Sequence, residues 1–149
     1  MIELSHVSKQ FGDDTAVEDI TLRVAKGKFC AVVGTSGCGK STTLRMINRL
    51  IEHSSGDIIL DGQAIEQYDP VKLRRRIGYV IQSTGLFPHW NVARNIGLVP
   101  RLLKWPATEI TARVEELMGV LGLPVGEFAH KYPHQLSGGQ AQRVGVARA

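Results

Sequence analysis

Eight consecutive residues, Gly34-Thr35-Ser36-Gly37-Cys38-Gly39-Lys40-Ser41, fit the pattern G-x-x-x-x-G-K-[ST] without a mismatch. Glycines let a backbone curl around an anion, so that successive N–H groups point inward, and a helix starting near Gly39 and Lys40 adds its positive dipole end. The pattern therefore predicts a cradle for nucleotide phosphates. Lys40 is placed to reach the β- and γ-phosphates, Ser41 to put its hydroxyl on Mg²⁺, and Thr42 to sit near the α-phosphate. At average residue usage, a chance match this long arises in roughly one chain in a hundred or fewer of this length. Cys38 has two readings: a thiol that the helix N-terminus shifts toward thiolate, or a small residue that the loop tolerates.

A second glycine pair lies at Leu136-Ser137-Gly138-Gly139-Gln140. Ser137 and Gln140 stand at the S-x-x-Q spacing of a capping box, which predicts a helix starting at Gly138. Its first N–H groups stand beside two residues without side chains, an anion site by the same physics as the first loop. Taken alone, such a box starts many helices that bind nothing.

Both sites need elements to hold them. "KFCAVVG" at 28–34 is continuously apolar and short, as a strand buried on both faces should be, and it leads straight into the first loop. Leu44, Ile47 and Ile51 then mark one face of a following helix. Upstream, 2–7 and 17–24 alternate as half-exposed strands around the turn material "GDD". "SSGDIILDGQ" at 54–63 reads as turn, strand, turn, and "RIGYVIQ" at 76–82 as a second buried strand. From residue 87 the chain becomes helical. "VARNIGLVPRLLK" and "ATEITARVEELMGVLGL" read as helical, and in the second Ile110, Val114, Leu117, Met118 and Leu121 share a face, with Pro106 near the start and Gly122 at the end.

Composition fits these elements. The chain has 149 residues, of which 43% are hydrophobic and 21% charged, within the range of one globular domain. No window approaches about 18 consecutive apolar residues, and "MIELSHVSKQFG" lacks the features of a signal peptide, so a cytoplasmic location is expected. Cys30 and Cys38 form no metal or redox spacing and are expected as thiols. The net charge of +4 and the run Lys72 to Arg76 raise nucleic-acid binding. Aromatic interleaving is absent and a basic run is more often a solvated helix face, so no nucleic-acid partner is expected.

The two glycine motifs together resemble those of the nucleotide-binding subunits of ABC transporters, whose signature is LSGGQ, and the resemblance runs the length of the chain. It implies an α/β P-loop NTPase fold of the ABC class: an antiparallel β region, part of a parallel-sheet core, and a helical subdomain. The whole would be the N-terminal part of a nucleotide-binding domain, with residues 1–86 as the β-rich core part and 87–149 as the helical subdomain. Phe11 matches the aromatic residue on which adenine packs, where tyrosine is commoner, and it could instead be core. Gln82 matches the glutamine that contacts Mg²⁺ and the attacking water, in a loop that touches the membrane partner. Ser137, Gly138, Gly139 and Gln140 would bind the nucleotide of a second copy facing the first head to tail, with Ser137 and Gly139 on its γ-phosphate.

The resemblance further implies a peripheral position on the inner face of the membrane. The partners would be transmembrane permease subunits and, indirectly, a substrate-binding protein. "LRMINRLIEHSSGDIILDG", "IGYVIQSTGLFPHWNV" and "NIGLVPRLLKW" are similar to ATPase subunits of importers for glycine betaine, choline and related quaternary amines. Amino-acid importers and ABC ATPases of export share much of this pattern.

In that family an aspartate ends a later apolar strand, a glutamate follows it and polarises water, and a switch histidine comes further on. The chain is expected to end about where that strand begins, so turnover by it alone is in question and a non-hydrolytic binding module is the alternative. "DIILD" at 57–61 imitates the strand, but Gly62 follows it where glutamate should stand. The five histidines read as structural or solvated. Without a neighbour for the two buried strands, the chain is expected to be poorly stable alone or to associate through their edges.

Overall fold

The computed structural model describes residues 1–149 and resolves two compact units, Met1–Ile77 and Gly78–Ala149. In the first, β1 (Ile2–Phe11) and β2 (Asp14–Val24) form a hairpin, and β3 (Ser55–Leu60) and β4 (Gln63–Ala64) complete a four-stranded sheet in the order β2-β1-β3-β4. Every pairing is antiparallel. Two helices accompany the sheet, α1 (Lys40–Ile47) and α2 (Pro70–Arg76). Asp69 caps α2 by accepting from the Lys72 N–H at 2.8 Å, and Pro70 occupies the first turn, where no N–H is required.

The hairpin carries a local irregularity that its sequence demands. Leu4 and Val7 are both buried although a strand of period two would send them to opposite faces. The ladder slips between them, and His6 takes φ +51 there, with Asp19 at φ +46 on the facing strand. The His6 ring joins the Asp19 carboxylate at 2.7 Å. Gly56 runs so close to this bulge that a Cβ would lie 2.3 Å from the His6 carbonyl oxygen, and its φ is +84. Leu4, Val7 and Val17 can then meet Met46, Ile58 and Leu73 in one core.

The expected strands at 28–34 and 76–82 do not form. Residues 28–34 carry no ladder, and the second stretch is divided between the end of α2 and an irregular run from Gly78. Phe29 is 93% exposed and Val33 90%, and Val80 and Ile81 are exposed as well. The reason is partnership rather than propensity. A strand apolar on both faces is stable only between hydrogen-bonded neighbours, and the four strands of this sheet pair only with one another. Cys30 and Val32 border an apolar cavity of about 180 Å³ with Ile2, Leu22, Val24 and Leu44, so this segment is loosely packed on α1 and the sheet.

The second unit is helical: α3 (Val92–Ile96), α4 (Leu98–Leu102), α5 (Ala107–Val120), α6 (Val125–Phe128) and α7 (Gly138–Arg148). The segment over 92–104 is helical as expected, and it is divided in two because Pro100 cannot donate to the Ile96 carbonyl and the ladder breaks at Gly97. In α5, Ile110, Val114 and Met118 are buried as their spacing requires, and Leu117 and Leu121 are partly buried beside them. Gly122, at φ +62, ends the helix. Asn95 is fully buried and latches the preceding loop. Its Oδ1 accepts from the Phe87 N–H at 2.8 Å, while its Nδ2 donates to the carbonyls of Phe87, Trp90 and Asn91. No helix is long and apolar enough to cross a membrane.

Candidate functional site

The loop from Gly34 to Gly39 leads into α1, which starts at Lys40 with Gly39 as its N-cap at φ +87. That conformation is inaccessible to most residues, and a Cβ there would lie 2.5 Å from the Ala16 carbonyl oxygen and 2.8 Å from Val17 Cγ2. The loop thus rests directly on β2. Gly37 also has positive φ, +85, but its Cβ would meet open space. At Gly34 a Cβ would fall 2.6 Å from the Cys38 Sγ, so the loop folds over its own first glycine.

The Lys40 ammonium is turned into this curl. It donates to the Gly34 carbonyl at 2.8 Å, to the Thr35 carbonyl at 2.5 Å and toward Cys38 Sγ at 3.3 Å. Thr43 is buried and its hydroxyl donates to the Gly39 carbonyl at 3.0 Å, which ties the first turn of α1 to the loop. Thr35, Ser36, Cys38 and Ser41 are exposed and Thr42 half-buried. Cys30 and Cys38 are both free thiols.

This arrangement fits a polyphosphate. The amides of the first turn of α1 have no intrahelical acceptor, no acidic side chain stands in that turn, and the loop supplies an ammonium of its own. A carbonyl-bound ammonium can exchange those partners for phosphate oxygens, which return a stronger, charge-assisted bond. No cluster of three or more His, Cys, Asp or Glu side chains exists to hold a metal ion. A divalent cation would accordingly rest on phosphate oxygens, water and the Ser41 hydroxyl, the usual manner of Mg²⁺.

Phe11 closes β1 opposite Asp14 and is 51% exposed, with the Lys9 ammonium 4.8 Å from its ring centroid. It is therefore not core. Register pairs Lys9 with Val17, and a Cβ on Gly39 would lie 2.8 Å from Val17 Cγ2, so the hairpin end carrying Phe11 and the Gly34–Gly39 loop lie on neighbouring positions of one unit.

Gln82 and Ser137–Gln140 belong to the second unit. Gln82 is exposed in a bend. Ser137 caps α7 through the expected box: its hydroxyl accepts from the Gln140 N–H at 3.3 Å, and Gln140 Oε1 accepts from the Ser137 N–H at 2.8 Å. Gly138 and Gly139 have open space where side chains would be, which leaves the first turn of α7 accessible. Just upstream, Gln135 Oε1 accepts from the Tyr132 N–H at 2.8 Å and its own N–H donates to the Tyr132 carbonyl at 2.9 Å, which sets the entry of the chain. Arg143 braces α7 from the side by donating to the Leu121 carbonyl at 2.7 Å. Sequence reasoning passed over Arg143, Asn95 and Thr43. Arg143 bonds to carbonyls 21 and 22 positions away, which no local pattern reveals; the Asn95 partners lie four to eight positions upstream in an irregular loop that no pattern marks, and the Thr43 contact spans one helical turn and was within reach.

The family model described as ABC transporter matches residues 17–149. A glycine betaine uptake system ATP-binding protein of Escherichia coli K12 is 58% identical over 149 residues, covering 100% of this chain and 48% of the relative. A choline transport ATP-binding protein of Bacillus subtilis is 53% identical over 150 residues, covering 100% of this chain and 39% of the relative. The chain thus spans about half the length, or less, of these curated relatives. Among solved structures, a dimeric bacterial ABC transporter cassette has a TM-score of 0.87 at 34% identity, covering 99% of this chain and 68% of that one. A post-hydrolysis dimer of an ATP-binding cassette bound to ADP and Pi gives 0.86 at 33%, with the same coverage. With the Gly34–Ser41 loop braced on β2 and a capped Leu136–Gln140 turn opening α7, and with these relatives, the chain belongs to the ABC transporter family.

Proposed function

We propose that this chain is the N-terminal part of the ATP-binding subunit of an ABC importer for osmoprotectant quaternary amines such as glycine betaine and choline. The observation that carries the nucleotide reading is the Lys40 ammonium, held inside the Gly34–Gly39 curl at the N-terminus of α1. In this reading ATP lies along the loop with its adenine on Phe11. Lys40 and the amides of Gly39, Lys40 and Ser41 hold the phosphates, and Ser41 and Gln82 reach Mg²⁺. Ser137, Gly138, Gly139 and Gln140 serve the γ-phosphate of a second copy placed head to tail. Hydrolysis then proceeds by positioning and charge stabilisation, with Gln82 orienting water. Closure of the two copies drives transmembrane permease subunits at the inner face of the membrane, which receive solute from a binding protein. The substrate class rests on the identity to the glycine betaine and choline relatives.

The rival is a module that binds ATP without turning it over. Mg-ATP turnover measured on this chain and on Lys40→Ala decides between them. Turnover abolished by the substitution supports the enzyme, and binding without turnover supports the module. Co-purification with a permease and a quaternary-amine-binding protein supports an importer over an ABC ATPase of another transport class, and recovery with an exporter contradicts it.

A further inference from the structure

At the end opposite the Gly34–Gly39 loop, α1 stops in a turn that favours glycine but holds an arginine. Asn48 is the C-cap; the Arg49 N–H donates to the Met46 carbonyl at 2.9 Å and the Leu50 N–H to the Arg45 carbonyl at 2.9 Å, which is the Schellman pattern. Arg49 takes the left-handed position of that turn at φ +50, where a side chain is strained. That side chain reaches across to the residues before α2. Its Nη1 donates to the carbonyls of Ile65 at 3.3 Å, Glu66 at 3.4 Å and Tyr68 at 2.9 Å, and the side chain is only 15% exposed. Its Nε is buried without a partner, a cost that a solvated arginine would not bear. Arg74, on α2, returns the contact: its Nε donates to the Asn48 carbonyl at 3.2 Å and its Nη2 to the Arg49 carbonyl. Next to it in α2, Leu73 joins Met46, Ile47 and Ile65 in one buried core.

We infer that Arg49 and Arg74 are positioning residues for the phosphate site and act on it through α1. The helix has 8 residues and is about 12 Å long, with the loop entering at one end and the two arginines clasping the other. At the loop end Gly39 rests on the Ala16 carbonyl of β2. A helix seated at both ends can neither slide along its axis nor tilt, so the free amides of its first turn hold one position before a ligand arrives. Ordering that is already present need not be supplied on binding, which raises affinity without a new contact. Guanidinium suits the clasp because its planar fork spans two or three carbonyls, where an ammonium holds one at a time. Arg74 also sets its charge at the negative end of α1. The clasp gives the basic run at Lys72 to Arg76 a role inside the chain, and it rests on the proposed ATP reading.

Dissociation constants for Mg-ATP and for inorganic triphosphate with Mg²⁺ test it on the whole chain, measured well below the melting temperature, for Arg49→Gly, Arg49→Lys and Arg74→Lys. Arg49→Gly relieves the left-handed strain and keeps the backbone of the turn. If Arg49 only ends α1, that variant therefore keeps both its stability and its affinity. The clasp predicts instead that Arg49→Gly weakens both ligands by the same factor, about tenfold, well short of the roughly 100-fold that a misplacement of about 1 Å brings. Arg49→Lys and Arg74→Lys, each left with a single donor group, lose about threefold for both ligands. In the ligand-free protein, amide exchange at residues 39–42, the end of α1 remote from the substitution, quickens in Arg49→Gly. The inference is overturned if Arg49→Gly binds both ligands as tightly as the unaltered protein, or if the loss falls on Mg-ATP alone, which places the defect at the base. If Arg49→Gly does not fold by far-UV circular dichroism, the two lysine variants decide, and unchanged affinity in both overturns the inference. Failure of the unaltered protein to bind either ligand refutes the ATP reading instead.

Discussion

Gly39→Ala and Gly37→Ala form a matched pair that separates backbone strain from collision. Both glycines have φ near +86, +87 and +85, so each alanine bears the left-handed cost of about 1–2 kcal/mol. At Gly37 the new methyl enters open space and nothing more is lost. At Gly39 it lies 2.5 Å from a backbone oxygen of β2 and 2.8 Å from Val17 Cγ2. The oxygen is fixed in the hairpin and cannot swing aside, so α1 must back away from the sheet, an overpacking cost of about 1–3 kcal/mol. In a unit the size of Met1–Ile77, each kcal/mol moves Tm by about 4–8 °C. Gly39→Ala is therefore expected to melt at least about 4 °C below Gly37→Ala by far-UV circular dichroism. It is also expected to bind a fluorescent ATP analogue at least about tenfold more weakly, a loss of about 1.4 kcal/mol. Equal melting and equal affinity for the two variants would refute the claim that the loop is seated on β2.

Further outcomes follow from other contacts. Ser137→Ala removes the cap of α7 and costs about 0.5–2 kcal/mol, whereas Ser137→Gly costs a few tenths, a difference readable in amide exchange of residues 138–142. Phe11→Ala should weaken ATP by about 1–3 kcal/mol of stacking and leave inorganic triphosphate binding unchanged; equal losses for both ligands would remove Phe11 from the site. Asn95→Leu leaves the Phe87 N–H without its acceptor and the Trp90 carbonyl without its donor, while the Phe87 and Asn91 carbonyls keep the backbone N–H groups of Trp90 and Asn95. It should destabilise Gly78–Ala149 by about 2–4 kcal/mol, seen as a lower urea midpoint. The Asp61 carboxyl, bonded to the terminal ammonium of Met1, titrates below its ordinary 3.8. Its folded pKa is depressed, so its contribution is present above 3.8 and lost as pH falls through the lower folded value. Carboxyl NMR should place the midpoint below 3.8, and acetylation of Met1 should raise it.

What could be read from sequence was what local rules decide. The Gly34–Ser41 loop, the Ser137/Gln140 box, the hairpin over "GDD" and the buried face of α5 each depend on residues within a few positions of one another. The segments at 28–34 and 76–82 show the limit of such rules. A continuous apolar run reports a preference for burial, but a strand exists only when a neighbour supplies the other half of its ladder, and composition does not name the neighbour. The His6 bulge was concealed for a related reason, since the pairing register, not the alternation, decides where a strand slips. Asn95, Arg143 and Arg148 act on carbonyls that are distant in sequence or unmarked by any pattern, so their side-chain types gave no warning.

The central claim is that the Gly34–Ser41 loop binds nucleotide phosphates through its own amides and Lys40. Backbone amide shifts followed by ¹⁵N–¹H NMR during a Mg-ATP titration test it most directly. The account predicts saturable shifts that are largest at Gly34–Thr42 and that vanish in Lys40→Ala while the rest of the spectrum stays folded. Saturable ATP binding with its largest shifts elsewhere, or binding untouched by Lys40→Ala, would contradict it.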